Sequence, residues 1–93
     1  MKTSFKSFAD AKRRVEQGAQ VEFTHLSEPA YSGPTHVVMW DSTGFCIRLK
    51  FIPSGASEPA LYVRWPKKAS DFEAATGTIF QNGKPAFQIK LRP

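Results

Sequence analysis

The chain has one cysteine, Cys46, among its 93 residues, and so cannot close an internal disulfide. That excludes the disulfide-stapled mini-proteins of oxidising compartments. No apolar run approaches the roughly 18 residues that a membrane-spanning helix requires. Histidine is scarce too, with two residues. His25 and His36 fall on separate strand-like segments, and with a single cysteine they form no ligand cluster, so no metal is expected. The glycines at positions 18, 33, 44, 55, 77 and 83 are isolated turn residues. They match neither G-x-G-x-x-G nor G-x-x-x-x-G-K-[ST], so no loop for cradling nucleotide phosphates is present. No serine lies in a G-x-S-x-G elbow, and Cys46 has no helix N-terminus behind it to lower its pKa. The reading is of a non-enzymatic chain without cofactor. A catalytic site gathered from scattered residues such as His25, His36 and a carboxylate is the disfavoured alternative.

Acidic residues are also few. Eight Asp+Glu stand against 13 Lys+Arg, a formal charge of +5. On so small a body that surplus favours an anionic partner, although solubility alone also accounts for it. Hydrophobic residues make up 41% and charged residues 23%, which is enough apolar surface for one core and too little for two. Residues 1–93 are therefore read as a single domain. The opening MKTSFKSFADAKRR has neither an apolar core nor a small-residue cleavage site, so an intracellular, cytoplasmic protein is expected.

Periodicity divides the chain. Ser7 and Asp10 resemble a short capping box, and Phe8, Ala11 and Val15 recur at helical spacing, with Asp10, Arg13, Arg14 and Gln17 on the solvated side and Gly18 as the stop. From Ala19 the period becomes two. Strands are predicted over 19–24, 35–40, 45–51 and 60–65, with Phe45, Ile47, Leu49 and Phe51 facing inward and Cys46, Arg48 and Lys50 outward. Pro66 ends the fourth strand, and Ser70 to Glu73 reads as a helical turn. Asn82-Gly83 predicts a type I′ hairpin pairing Gln81 with Lys84, Phe80 with Pro85 and Thr78 with Phe87. That register leaves Ile79 stranded on a polar face. The fold class is α+β and β-rich: an N-terminal helix packed on a small, strongly bent antiparallel sheet, or an SH3-like barrel, of five to six strands.

The outward parity of the third and fourth strands carries Arg48, Lys50, Tyr62 and Arg64, which Lys67 and Lys68 extend. Cations neutralise phosphates and an aromatic ring offers a stacking surface, so these six residues are the candidate interface for nucleic acid or a nucleoprotein. A solvated sheet face blunted by charge is the competing reading. The cluster Lys12-Arg13-Arg14 lacks the second helix of a helix-turn-helix and reads as a solvated helical face. The alternative function is a protein–protein inhibitor or adaptor, with Tyr31 and Trp40 as anchors, although core packing is favoured for Trp40.

Two resemblances accompany this reading. Gly44-Phe45-Cys46-Ile47-Arg48-Leu49-Lys50-Phe51 resembles the aromatic RNA-binding strand of RRM and cold-shock domains, but alternation places both of its phenylalanines in the core. The opening F-x-x-F-x-D-A-K (Phe5, Phe8, Asp10, Ala11, Lys12), the W-P-K at Trp65-Pro66-Lys67 and the G-K-P-x-F at Gly83, Lys84, Pro85 and Phe87 together resemble small proteins encoded by phages and prophages. That resemblance implies a non-enzymatic binder of a host or phage macromolecule, such as an inhibitor of a host defence protein, and assigns no functional residue.

Overall fold

The computed structural model describes residues 4–92, so the first residues of the segment read for a secretion signal lie outside it. Helix α1 (Phe8–Glu16) begins where the capping residues place it. Ser7 is extended, and its Oγ accepts from the Asp10 amide at 3.1 Å. Asp10 reaches back in turn, its Oδ2 accepting from the Lys6 amide at 3.0 Å. The Asp10 amide, which the first turn leaves without a partner, is thereby satisfied, and so is the Lys6 amide just ahead of the cap. Ala11 and Val15 are buried, and Phe8 packs half-buried against the core. Gly18, at a φ of 75°, turns the chain out of the helix.

Asp10 departs from its expected solvated position, being only 8% exposed. Its carboxylate folds over its own helix start, where Arg13 Nη2 lies 2.6 Å and Arg14 Nε 3.6 Å from Oδ1. The Lys6 amide first, and then the Arg13 guanidinium, hold its pKa down at about 2.

Seven strands follow: β1 (Gln20–His25), β2 (Gly33–Trp40), β3 (Gly44–Arg48), β4 (Ala60–Arg64), β5 (Phe72–Glu73), β6 (Thr78–Gln81) and β7 (Lys84–Leu91). They form one antiparallel sheet in the order β4-β3-β2-β1-β7-β6-β5. Strand β2 makes the bend. Gly33 to His36 pair with β1, Val37 to Trp40 pair with β3, and a bulge interrupts the register between Val37 and Met39. The count exceeds five to six because the segment read as a helical turn splits into a 3-10 turn, Ala69–Asp71, and the two-residue β5 paired with β6.

The sheet is open. Strands β4 and β5 are its two edges, and among the described residues no backbone ladder joins them. Aromatic side chains bridge the gap instead. Trp65, just past β4, and Phe72, in β5, have ring centroids 6.2 Å apart. Phe8 of α1 lies 5.5 Å from the first and 5.3 Å from the second. Phe45 packs on Trp65 at 4.8 Å and Phe5 on Phe72 at 6.1 Å. The helix therefore seals the sheet along its unpaired seam. Val21, Phe23, Ile47, Val63 and Ile89 complete the core. No helix of the described residues is long and apolar enough to cross a membrane.

The Asn82-Gly83 turn forms as predicted, with φ of 53° and 77° and Gln81 paired with Lys84. A bulge between Ile79 and Phe80 then shifts the register, pairing Ile79 with Phe87 and Thr78 with Gln88. It rotates Ile79 into the core, where none of it is exposed. The inward alternation of β3 holds from Phe45 to Leu49 and fails at Phe51. Strand β3 ends at Arg48, and Phe51 lies on the surface against Tyr31, with ring centroids 5.2 Å apart.

Candidate nucleic-acid interface

The turn between β2 and β3 is built around one carboxylate oxygen. Asp41 Oδ1 accepts from the Thr43 amide at 2.8 Å, the Thr43 hydroxyl at 2.8 Å, the Gly44 amide at 2.9 Å and the Tyr62 hydroxyl at 3.0 Å. These donors, Thr43 foremost, hold the Asp41 pKa below the usual carboxylate value. The Thr43 and Tyr62 hydroxyls also lie side by side at this oxygen. The tip of the Tyr62 ring is seated against Gly44, where a Cβ would come 2.7 Å from Cζ and would also strike the Val63 carbonyl. Tyr62 is thus an exposed aromatic ring fixed at its tip and supported by a glycine, on β4 opposite Cys46. Partial burial, followed by the charges of Asp41 and Glu58, pushes the Cys46 thiol up, away from the thiolate that nucleophilic chemistry needs.

All six candidate residues are exposed. In the β3–β4 register Gly44 pairs with Arg64, Cys46 with Tyr62 and Arg48 with Ala60, so Arg48, Tyr62 and Arg64 share the outer face. Their cationic ends do not meet. Arg64, Lys67 and Lys68 gather at the open seam. There a groove of about 490 Å³ runs between the end of β4 and the β6–β7 hairpin, with Phe80, Gln81 and Asn82 on its far wall and Asp71 the one carboxylate lining it. An adjoining groove of about 340 Å³ shares Arg64 and Lys67 and adds Lys12, Ser42 and Thr43. Arg48 and Lys50 lie apart from these, in a groove of about 430 Å³ with Thr35 and His36. The Thr35 hydroxyl donates to the Arg48 carbonyl there, tying β2 to the end of β3.

Sequence reasoning missed Lys12, Gln81 and Asn82. Periodicity puts Lys12 on a solvated helical face together with its neighbours, yet Arg13 and Arg14 turn to Asp10 while Lys12 lies over the Phe8 ring, 4.8 Å from its centroid, and lines the groove beside the end of β4. Helical spacing gives no sign of this, because it depends on where the sheet stays open. Asn82 carried a turn signal and nothing more.

The two protein-binding candidates differ. Tyr31 is half-buried between His25, at 5.5 Å, and Phe51. Trp40, expected in the core, is 49% exposed. It pairs with Phe45 at the end of β2, but the bulge behind it and the end of the sheet leave its ring uncovered. Val38 and Met39 beside it are exposed as well. His36 shares its groove with cations and no carboxylate, whereas His25 Nδ1 accepts the Ser27 and Glu28 amides and so shapes its own loop.

The chain matches no protein-family model, no curated protein and no solved structure.

Proposed function

We propose that this protein is a non-enzymatic binding module that engages nucleic acid, or a nucleoprotein through its nucleic acid, at the open seam of the sheet. One observation carries the reading: Lys12, Arg64, Lys67 and Lys68 converge on two adjoining grooves lined by a single carboxylate. Four cations around a concave surface concentrate field where an even scatter of five net charges would not, and phosphates are the polyanions such grooves hold. The amides of Gln81 and Asn82, on the opposite wall, add neutral donors for phosphate or base edges. In this reading the fold is a half-open, SH3-like barrel whose missing ladder is the binding cleft, and the protein works in the cytoplasm of a bacterial cell as a phage or prophage product.

Titration of oligonucleotides against the protein at increasing salt tests the idea. Affinity should fall linearly on a log–log plot, and Lys67→Gln with Lys68→Gln should lower the slope by about 0.7 for each phosphate contact removed. Binding that ignores salt, or no binding at micromolar protein, rejects it.

A second reading, an adaptor or inhibitor directed at a host protein, is favoured by the exposure of Val38, Met39 and Trp40 around the β2 bulge. A partner recovered from nuclease-treated host lysate and lost on Trp40→Ala supports that reading over the first.

A further inference from the structure

We infer that the outer face of β3 and β4 carries a single strand of nucleic acid from the seam groove to the Arg48 groove, with a base stacked on Tyr62. The inference rests on the nucleic-acid reading above and extends it to a substrate form and a path. Along this face the order is Arg64, Tyr62, then Arg48 opposite Ala60, with Lys50 beyond. Four strand residues separate the level of Arg64 from that of Arg48, about 13 Å at the rise of a strand. A stacked strand advances about 3.4 Å per nucleotide, so about four nucleotides cover the interval.

The charges along the path specify which part of the nucleotide lies where. Cations mark both ends: Lys67 and Lys68 with Arg64 at one, and Arg48 and Lys50 at the other. The middle is unlike the ends. The Asp41 carboxylate lies there, 3.0 Å from the Tyr62 hydroxyl, which disfavours a phosphate and leaves the Tyr62 ring as the available contact. That ring is held ready, its hydroxyl fixed by Asp41 and its tip seated against Gly44, so stacking immobilises little that is not already immobile. A duplex keeps its bases inside and offers Tyr62 nothing to stack on, whereas an unpaired base has a free face.

Fluorescence anisotropy with the full chain and labelled oligothymidylates of about 2 and about 12 nucleotides, the shorter unable to cover the interval of about four nucleotides and the longer within the range that comparable grooves occupy, tests the path. The longer strand should bind at least about tenfold tighter than the shorter, because it engages two grooves at once. Arg48→Gln with Lys50→Gln should abolish that advantage and leave the short strand unchanged. Tyr62→Leu should weaken the long strand about tenfold, while Tyr62→Phe, which keeps the ring and frees only its tip, should weaken it less. Equal affinity for both lengths, or a 12-base-pair duplex that binds tighter than the single strand, overturns the path and leaves the seam reading standing. Failure of every oligonucleotide to bind removes both. Arg48 and Lys50 are exposed, so their variants keep the test open if Tyr62→Leu does not fold.

Discussion

Trp65 and Phe72 meet edge to face, with ring centroids 6.2 Å apart at an interplanar angle of 80°, although they lie at opposite ends of a seven-stranded sheet. In a closed barrel the strands bearing them would be joined by hydrogen bonds. Here side-chain packing holds the two edges together, with Phe8 of the helix touching both rings. Two surface grooves lie beside these packed rings, and Lys12, Arg64, Lys67 and Lys68 line them, while Arg48 and Lys50 lie apart.

If packing alone holds the edges, truncating one ring should be severe. Phe72→Ala is expected to destabilise the protein by about 3–5 kcal/mol, in the upper range for a buried aromatic, because no ladder compensates for the cavity. Equilibrium denaturation in urea measures it. A loss under about 1 kcal/mol means the edges are held by something other than these rings.

Gly44 supports the binding face from below. A Cβ there meets the Val63 carbonyl, which belongs to the adjoining strand and cannot move aside, as well as the Tyr62 ring. Gly44→Ala should therefore destabilise by about 1–3 kcal/mol through overpacking and should lower affinity by displacing Tyr62. Tyr62→Phe loses only the bond to Asp41, so it should lower the melting midpoint less than Gly44→Ala does. A thermal melt of both variants that ranks them the other way counts against the tyrosine–glycine support.

Acid should reveal the helix cap. The pKa of Asp10 in the folded protein is held at about 2, below its ordinary 3.8. Between those values the unfolded chain binds the proton and the folded chain does not, so stability rises with pH through the window. The contribution is complete above about pH 4 and disappears as pH falls toward 2. Asp41, shifted in the same direction, adds to the slope. Melting midpoints of the wild type taken from pH 5 to pH 2 should fall more steeply than those of Asp10→Asn. Parallel curves for the two proteins remove Asp10 from the account.

How far the residues alone revealed this structure depends on whether the determining interaction is local. The Ser7 cap, the Gly18 stop and the Asn82-Gly83 turn are set by backbone conformations within a few residues, and all three formed where expected. The alternation of Phe45, Ile47 and Leu49 was legible for the same reason. The outward face of Arg48, Tyr62 and Arg64 followed from it, and so the candidate residues were found on the surface. What was not legible depends on long-range pairing. The two-residue β5 is a strand only because β6 lies beside it, and Trp40 is exposed only because β2 bulges where it changes partners. The split of the cations into separate grooves likewise depends on where the sheet fails to close, which no window of sequence contains.

The β6–β7 bulge makes the sharpest distinction between a regular hairpin and the observed one. With the register that Asn82-Gly83 dictates on its own, Ile79 faces the polar side and a lysine there is harmless. With the bulge, Ile79 pairs with Phe87 and is entirely buried, while Phe80 is only half-buried. Ile79→Ala should then destabilise by about 2–5 kcal/mol, the usual range for a buried aliphatic side chain. Ile79→Lys, which brings an unpaired charge into the same site, should prevent folding. Phe80→Ala should be the milder change even though it removes the larger side chain. Circular dichroism and urea unfolding of the three variants decide the matter. A folded Ile79→Lys protein with near wild-type stability would show that the hairpin pairs without its bulge, placing Ile79 outside the core.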